Sequence, residues 1–266
     1  MHRHFWRLAA PALILAAAAC RPEFQLKKFT TNEALYTASL RQFQRHKWDN
    51  AVTGFDKLTT ELPPRDTLLS RSYWYLASAH EHLGEHLLAA QSFSHLVESF
   101  PDDTLADDAA LEAARSYRRL WRKPQLDPTY GETALATYNT LLGLYPTSPL
   151  IPQANKEIAE LNDWFAKKDY GTGMYYFRRG AWDSANLYFK DVLDKYPETP
   201  TAHDAALRLV QSYKEIHYRE DASELCTQLR KRYPSDRDVR ATCASFPDVP
   251  VPADSASGAP AKPPAR

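Results

Sequence analysis

One pattern is written five times along this chain. An alanine is followed four residues later by Phe, Tyr or Cys, seven later by Leu or Val, eleven later by Leu, Phe or Tyr, and twelve later by proline. The five instances start at Ala51, Ala89, Ala134, Ala185 and Ala222, and end at Pro63, Pro101, Pro146, Pro197 and Pro234. Offsets 0, 4, 7 and 11 fall on one face of an α-helix. The proline cannot extend that helix and biases the residue before it away from helix. Such a spacing, recurring every 37 to 51 residues, marks a stack of helical units, none of which can bury its apolar face alone. The expected fold class is all-α.

Each unit reads as two amphipathic helices, with the pattern on the second, helix B. The alanine must be small because a neighbouring helix crosses there, and the aromatic fills the gap beside it. Helix A precedes it. In the second unit helix A runs from about Leu68 to Leu83 and ends at Gly84; in the fourth it ends at Gly180. Both glycines stand five residues before the helix-B alanine, where a left-handed helix terminus favours glycine. Thr147, Ser148, Thr199 and Asp236 after the prolines are helix N-cap types. No alternating strand pattern competes. The pattern resembles the tetratricopeptide repeat, which places a small residue, alanine, an aromatic and proline at these positions of a 34-residue unit. The resemblance implies an α-solenoid of about five degenerate tetratricopeptide repeats over residues 32–235. The small residue of helix A, twelve before the alanine, is Ser39, Ala77 and Gly173 in units one, two and four, whereas Val210 stands there in unit five.

The irregularities carry information. Successive prolines are 38, 45, 51 and 37 residues apart. The 45-residue interval contains an inserted loop at 122–131, with Pro124 and Pro128. The 51-residue interval contains extra helix, roughly 151–168. Repeat arrays place such insertions on one face, often a binding face. Residues 236–246 read as a C-terminal extension. Residues 247–266, with six prolines and few large apolar groups, cannot bury enough surface to fold and read as a disordered tail.

The N-terminus reads as an export signal over residues 1–19: His2, Arg3, His4 and Arg7, then an apolar run from Leu8 to Ala19 that is too short to span a bilayer comfortably. Ala17, Ala18 and Ala19 before Cys20 resemble a bacterial lipobox, in which the cysteine thiol is lipidated and becomes the new N-terminus. The competing reading is ordinary cleavage after Ala19. Acyl chains on Cys20 would tether the protein to a membrane through residues 20–31 without spanning it. In a cell with two membranes, Arg21 after the cysteine would direct it to the outer one. Cys226 and Cys243 remain, and their spacing leaves open whether they pair.

Without residues 1–19, 31 basic and 33 acidic residues remain, so there is no basic excess to grip nucleic acid. No glycine-rich phosphate loop and no nucleophile elbow occurs. His80, Glu81, His82 and His86 suggest a metal, but Gly84 interrupts the helix between His82 and His86, and the H-E-x-x-H order is absent. No metal, no cofactor beyond the lipid on Cys20 and no enzymatic site are expected.

Ala166-Lys167, Tyr170, Tyr175-Tyr176, Arg179-Gly180-Ala181-Trp182 and Tyr196-Pro197, with the lipobox and five repeats, resemble the BamD family, lipoprotein subunits of the machine that inserts β-barrel proteins into bacterial outer membranes. Asp127-Pro128 resembles its loop motif, and Asn32-Glu33 with Tyr36 its opening helix. The likeness covers about residues 20–235. It implies a non-catalytic subunit with two binding jobs. The C-terminal repeats would hold the periplasmic domain of the barrel-shaped subunit, beside accessory lipoproteins, and the N-terminal repeats would receive unfolded outer-membrane proteins. In such arrays helix A lines the groove. That rule selects Glu33, Tyr36, Leu40 and Phe43, then Arg71, Trp74, Ser78 and His82, as the substrate-peptide groove. The competing reading is that Tyr36 and Trp74 pack between repeats. The barrel-subunit interface would use Lys167, Tyr170, Met174, Phe177, Arg178, Arg179 and Trp182. Tyr188 departs from the basic residue some relatives carry. The alternative function is another envelope repeat scaffold, for cell-wall coordination or polymer export.

Overall fold

Eleven α-helices follow one another in the computed structural model, which describes residues 24–249. They are α1 (Asn32–Gln44), α2 (Trp48–Glu61), α3 (Leu69–Leu83), α4 (His86–Ser99), α5 (Ala106–Leu120), α6 (Thr129–Leu144), α7 (Ile151–Phe177), α8 (Trp182–Lys195), α9 (Pro200–Glu215), α10 (Arg219–Arg232) and α11 (Arg237–Thr242). No strand occurs among the described residues. The fold is all-α, and within each of two units consecutive helices pack side by side as tetratricopeptide-type pairs. The first unit holds α1–α4 and ends at Leu105; the second starts at Ala106 and holds α5–α11. Residues 1–19, expected to be an export signal, and Cys20 lie outside the described residues.

The five-fold pattern is a burial pattern. Ala51, Ala89, Ala134, Ala185 and Ala222 are all fully buried, and so are Phe55, Tyr138, Phe189 and Cys226 four residues on. Every helix B stops two residues before its proline. In the fourth pair the helix-A residue twelve before the alanine, Gly173, meets the aromatic, Phe189. A Cβ on Gly173 would lie 2.6 Å from Phe189 Cε1, so that site must be small. In the last pair the sizes are exchanged: Val210 takes the small slot and Cys226 the aromatic slot, both in one buried cluster. A smaller partner makes room for the larger helix-A residue, which conserves the filled volume.

The tight turn from helix A to helix B needs a left-handed residue. Gly84 (φ 76°) and Gly180 (φ 69°) supply it in two pairs. His46 (φ 58°) and His217 (φ 62°) supply it in two others, each again five residues before the pattern alanine. A side chain in that region costs about 1–2 kcal/mol relative to glycine. The α5–α6 connection lacks this turn because the inserted loop replaces it.

The expectation of a tether over residues 20–31 is corrected for its second half. Leu26–Lys28 form a 3-10 turn, and Phe24, Leu26 and Phe29 pack against the core of the first unit. Three large apolar side chains in six residues carry enough surface to dock there. The extra helix at 151–168 forms the first two thirds of the 27-residue α7. At the other end a disulfide joins Cys226 to Cys243, with Cα atoms 5.5 Å apart, and holds α11 on α10. The tail expected from 247 begins no earlier than 250. Arg230 bonds the carbonyls of Cys243 and Phe246 and the Asp248 carboxylate, and Val249 N–H donates to Thr227 Oγ1. Residues 250–266 lie outside the described residues.

Candidate functional site

The groove residues of the first unit sort into three groups. Phe43, near the end of α1, stands edge-on to Trp48 (4.9 Å) and Tyr75 (5.1 Å), and its centroid is 6.0 Å from that of His82. His82 stacks on Trp48 at 4.0 Å and 10°, while His46 covers the same indole. Tyr36 lies edge-on to Phe55 and Tyr75. Burial, then nearby Tyr75, pushes the Tyr36 hydroxyl above its ordinary pKa, and Arg71 pulls it back. Tyr36, Leu40 and Phe43 thus present one half-buried aromatic wall that also seals the core. Trp74 turns to Phe93 of α4 at 5.3 Å, and Ser78 Oγ donates to the Trp74 carbonyl. Glu33 and Arg71 are exposed. The helix-face rule selected Tyr36, Phe43 and His82 but not Trp48 of α2 or Tyr75, which lies on the same side of α3 as His82 and completes the wall.

In the second unit, the C-terminal end of α7 and the start of α8 form an aromatic and basic surface. The Arg179 guanidinium lies 3.5 Å over the Tyr175 ring, and its Nη1 donates to the Tyr175 carbonyl. Arg178 Nε donates to the Met174 carbonyl. Both arginines therefore bind the helix C-terminus, where the dipole favours positive charge, and both stay exposed. Trp182 stands edge-on to Phe177 at 5.0 Å. Tyr176 stacks on Tyr188 at 5.7 Å, and neighbouring Leu187 is 61% exposed. Of the proposed interface, Phe177, Arg178, Arg179 and Trp182 come together here. Tyr170 and Met174 are partly buried against the core. Lys167 lies elsewhere, paired with Asp163 at 2.7 Å, whose other contacts hold the start of α9 through Thr201.

A network that the sequence did not suggest joins α5, α6 and α7. Glu157 accepts from Arg115 Nε and Nη2 and, at 2.6 Å, from Tyr138 Oη. Arg115 Nη1 also donates to Glu112. Tyrosine rather than phenylalanine in the fully buried aromatic slot was the available signal, since a buried hydroxyl needs a partner. Burial, then the Glu157 carboxylate, raises the Tyr138 pKa. His80 and His86 are bonded to Glu85 and Glu81. Among the described residues no group of three or more His, Cys, Asp or Glu is placed to hold a metal. No described helix is long and apolar enough to cross a membrane.

Consecutive helix pairs built on the buried Ala-to-Pro pattern define an array of the tetratricopeptide class. Residues 29–229 match the sequence model of the family described as "YfiO: Outer membrane lipoprotein", and the chain belongs to that family. It is 25% identical to the outer membrane protein assembly factor BamD of Caulobacter vibrioides, over 77% of this chain and 67% of that one. It is 23% identical to the BamD of Xylella fastidiosa strain Temecula1, over 69% of this chain and 66% of that one. The chain therefore spans about two thirds of the length of these relatives. A thermophilic tetratricopeptide-repeat protein of Thermus thermophilus aligns with a TM-score of 0.34 at 19% identity, over 81% of this chain and 98% of that one.

Proposed function

We propose that this protein is a non-catalytic lipoprotein subunit of the machine that assembles β-barrel proteins in the outer membrane. Lipid on Cys20 anchors it at the periplasmic face. The second unit holds the periplasmic domain of the barrel subunit, beside accessory lipoproteins, through the surface around Arg179 and Trp182. The first unit receives unfolded outer-membrane proteins along the wall of Tyr36, Phe43, Trp48 and His82. The family match over residues 29–229 carries this reading. The two aromatic surfaces support it, because rigid aromatics with a few polar groups suit extended segments and domain faces.

The test is affinity purification from native membranes, with an Arg179→Glu variant in parallel. The expected result is co-purification of an outer-membrane barrel protein bearing periplasmic domains, at least fivefold reduced in the variant. Recovery of cell-wall or polymer-export proteins alone would instead support the other envelope scaffold. Replacing Cys20 by Ser should release the protein into the soluble envelope fraction; continued membrane retention would remove the anchor from the reading.

A further inference from the structure

The lengthened half of α7 borders two cavities that the reading above does not use. The larger, about 810 Å³, is lined by Arg115, Arg118, Arg119, Arg122 and Lys156, with Trp121 and Trp164. Its two carboxylates are engaged: Glu157 by Arg115, and Glu160 by Arg118 at 2.9 Å. Arg122 and Lys156 line the cavity and take part in no ion pair among the described residues. Trp121 is 2% exposed, and its indole N–H has no acceptor among the described residues. A concave site with unneutralised cations over aromatic walls concentrates anions.

The second cavity, about 450 Å³, shares Lys156 and Glu160 with the first and continues to Tyr196, Pro197 and Pro200. Its exposed surface is mainly apolar, and the carboxylates that also line it, Asp163 and Glu198, are paired with Lys167 and Arg232. From Pro152 to Asp163 the track follows α7 for about 17 Å at 1.5 Å per residue. A polypeptide in extended form covers that length with about five residues at about 3.3 Å each. A compact anion such as a phosphate or a lipid headgroup would engage only the basic end. A chain carrying carboxylates and then apolar side chains engages both ends.

We propose that this track along α7 binds an extended acidic segment of a polypeptide, with its carboxylates at Arg122 and Lys156 and its apolar side chains at Tyr196–Pro200. The site lies within the second unit and does not depend on the function proposed above. The Arg118–Glu160 pair sits between the two cavities, so an arriving carboxylate can share Arg118 without leaving a charge unpaired.

The test uses the purified full-length protein in detergent and a fluorescein-labelled ten-residue peptide with four aspartates followed by valine and leucine. Fluorescence anisotropy reads binding. We expect saturable binding that weakens with salt, and at least a tenfold loss of affinity in R122E/K156E. The control K214E/R219E, which reverses two exposed charges of the same unit, should bind like the parent. If the reversal variant loses helix content, R122Q/K156Q takes its place, with at least a threefold loss expected. No peptide binding by the parent, equal affinity in parent and site variant, or equal losses in site and control variants would overturn the proposal. So would displacement of the peptide by phosphatidylglycerol vesicles with no loss in the site variant.

Discussion

Replacing Glu157 by glutamine tests the network that ties α5 and α6 to α7. Glu157 receives Arg115 through both oxygens at 3.0 and 3.1 Å, Tyr138 at 2.6 Å and Gln153 at 3.2 Å. Glutamine keeps one acceptor oxygen but loses the charge and points an amide at a donor. Removing one partner of a fully buried ion pair costs about 3–5 kcal/mol. Here the side chains of Arg115 and Glu157 keep 22% and 13% exposure, and Arg115 retains Glu112. The expected loss is therefore nearer about 2 kcal/mol. For a chain of this size that lowers the melting temperature by about 4–8 °C, measured by circular dichroism at pH 7. The pH dependence is a second readout. Burial pushes the Glu157 carboxyl up, but the donors Arg115 and Tyr138 outweigh it and hold its pKa below the usual glutamate value. A group depressed in the folded state contributes stability above its unfolded pKa and loses it as the pH falls through the lower folded value. The gap between parent and E157Q should be full at pH 7, narrow below about pH 4.3, and close once Glu157 is protonated. Melting points within 1 °C of each other at pH 7, or a gap that widens on acidification, would refute the reasoning.

Gly173→Ala places a Cβ 2.6 Å from Phe189 Cε1. Overpacking of about 1–3 kcal/mol should outweigh the roughly 1 kcal/mol gained in helix propensity, and a melting point at or above the parent's would show that the ring yields freely. His217→Gly relieves the left-handed backbone at φ 62° and should raise stability by about 0.5–1 kcal/mol; chemical denaturation decides, and a loss would mean that the imidazole makes a stabilising contact. Removing the disulfide with C226S/C243S should cost about 3 kcal/mol for a loop of this length. Limited proteolysis should then cut first within 237–249, and cleavage elsewhere first would show that Arg230 alone retains the extension.

Helix B was legible residue by residue because pattern offsets 0, 4 and 7 are burial positions on one helix, while offset 11 caps it. Ala89, Phe93 and Leu96 needed no partner's coordinates to be placed inward. The left-handed turns were half legible. Glycine announced Gly84 and Gly180, whereas His46 and His217 occupy the same slot with a residue that carries no such signal. Binding surfaces were legible only as helix faces. Periodicity put Tyr36 and Phe43 on one side of α1, but their neighbours Trp48 and Tyr75 come from other helices. Arg115 and Glu157 are 42 residues apart, and nothing local links them. The disulfide stayed open for the same reason, since a 17-residue separation contains no distance.

The two departures from regular repeat spacing are one structural event. Trp121, where the inserted loop begins, lies 4.7 Å from Phe165 and 5.7 Å from Trp164 of α7. Gly131, where the loop ends, must lack a side chain, because a Cβ there would fall 2.2 Å from Trp121 Cε3. Lys168 donates to the Leu126 carbonyl at the middle of the loop. The loop is thus pinned at its start and middle by α7 and at its end by Trp121. With the loop but no lengthened α7, the Trp121 indole would lose its wall and the network its Glu157. With the lengthened helix but no loop, Trp121 would lose its contact with Gly131, and Phe165 and Trp164 would face a loosened partner. The cost of exposing one such aromatic is about 2–3 kcal/mol, so each insertion stabilises the other. Their junction also borders the cavity lined by Arg122 and Lys156. The insertions thus add a concave basic surface without altering the Ala-to-Pro core that stacks the helices.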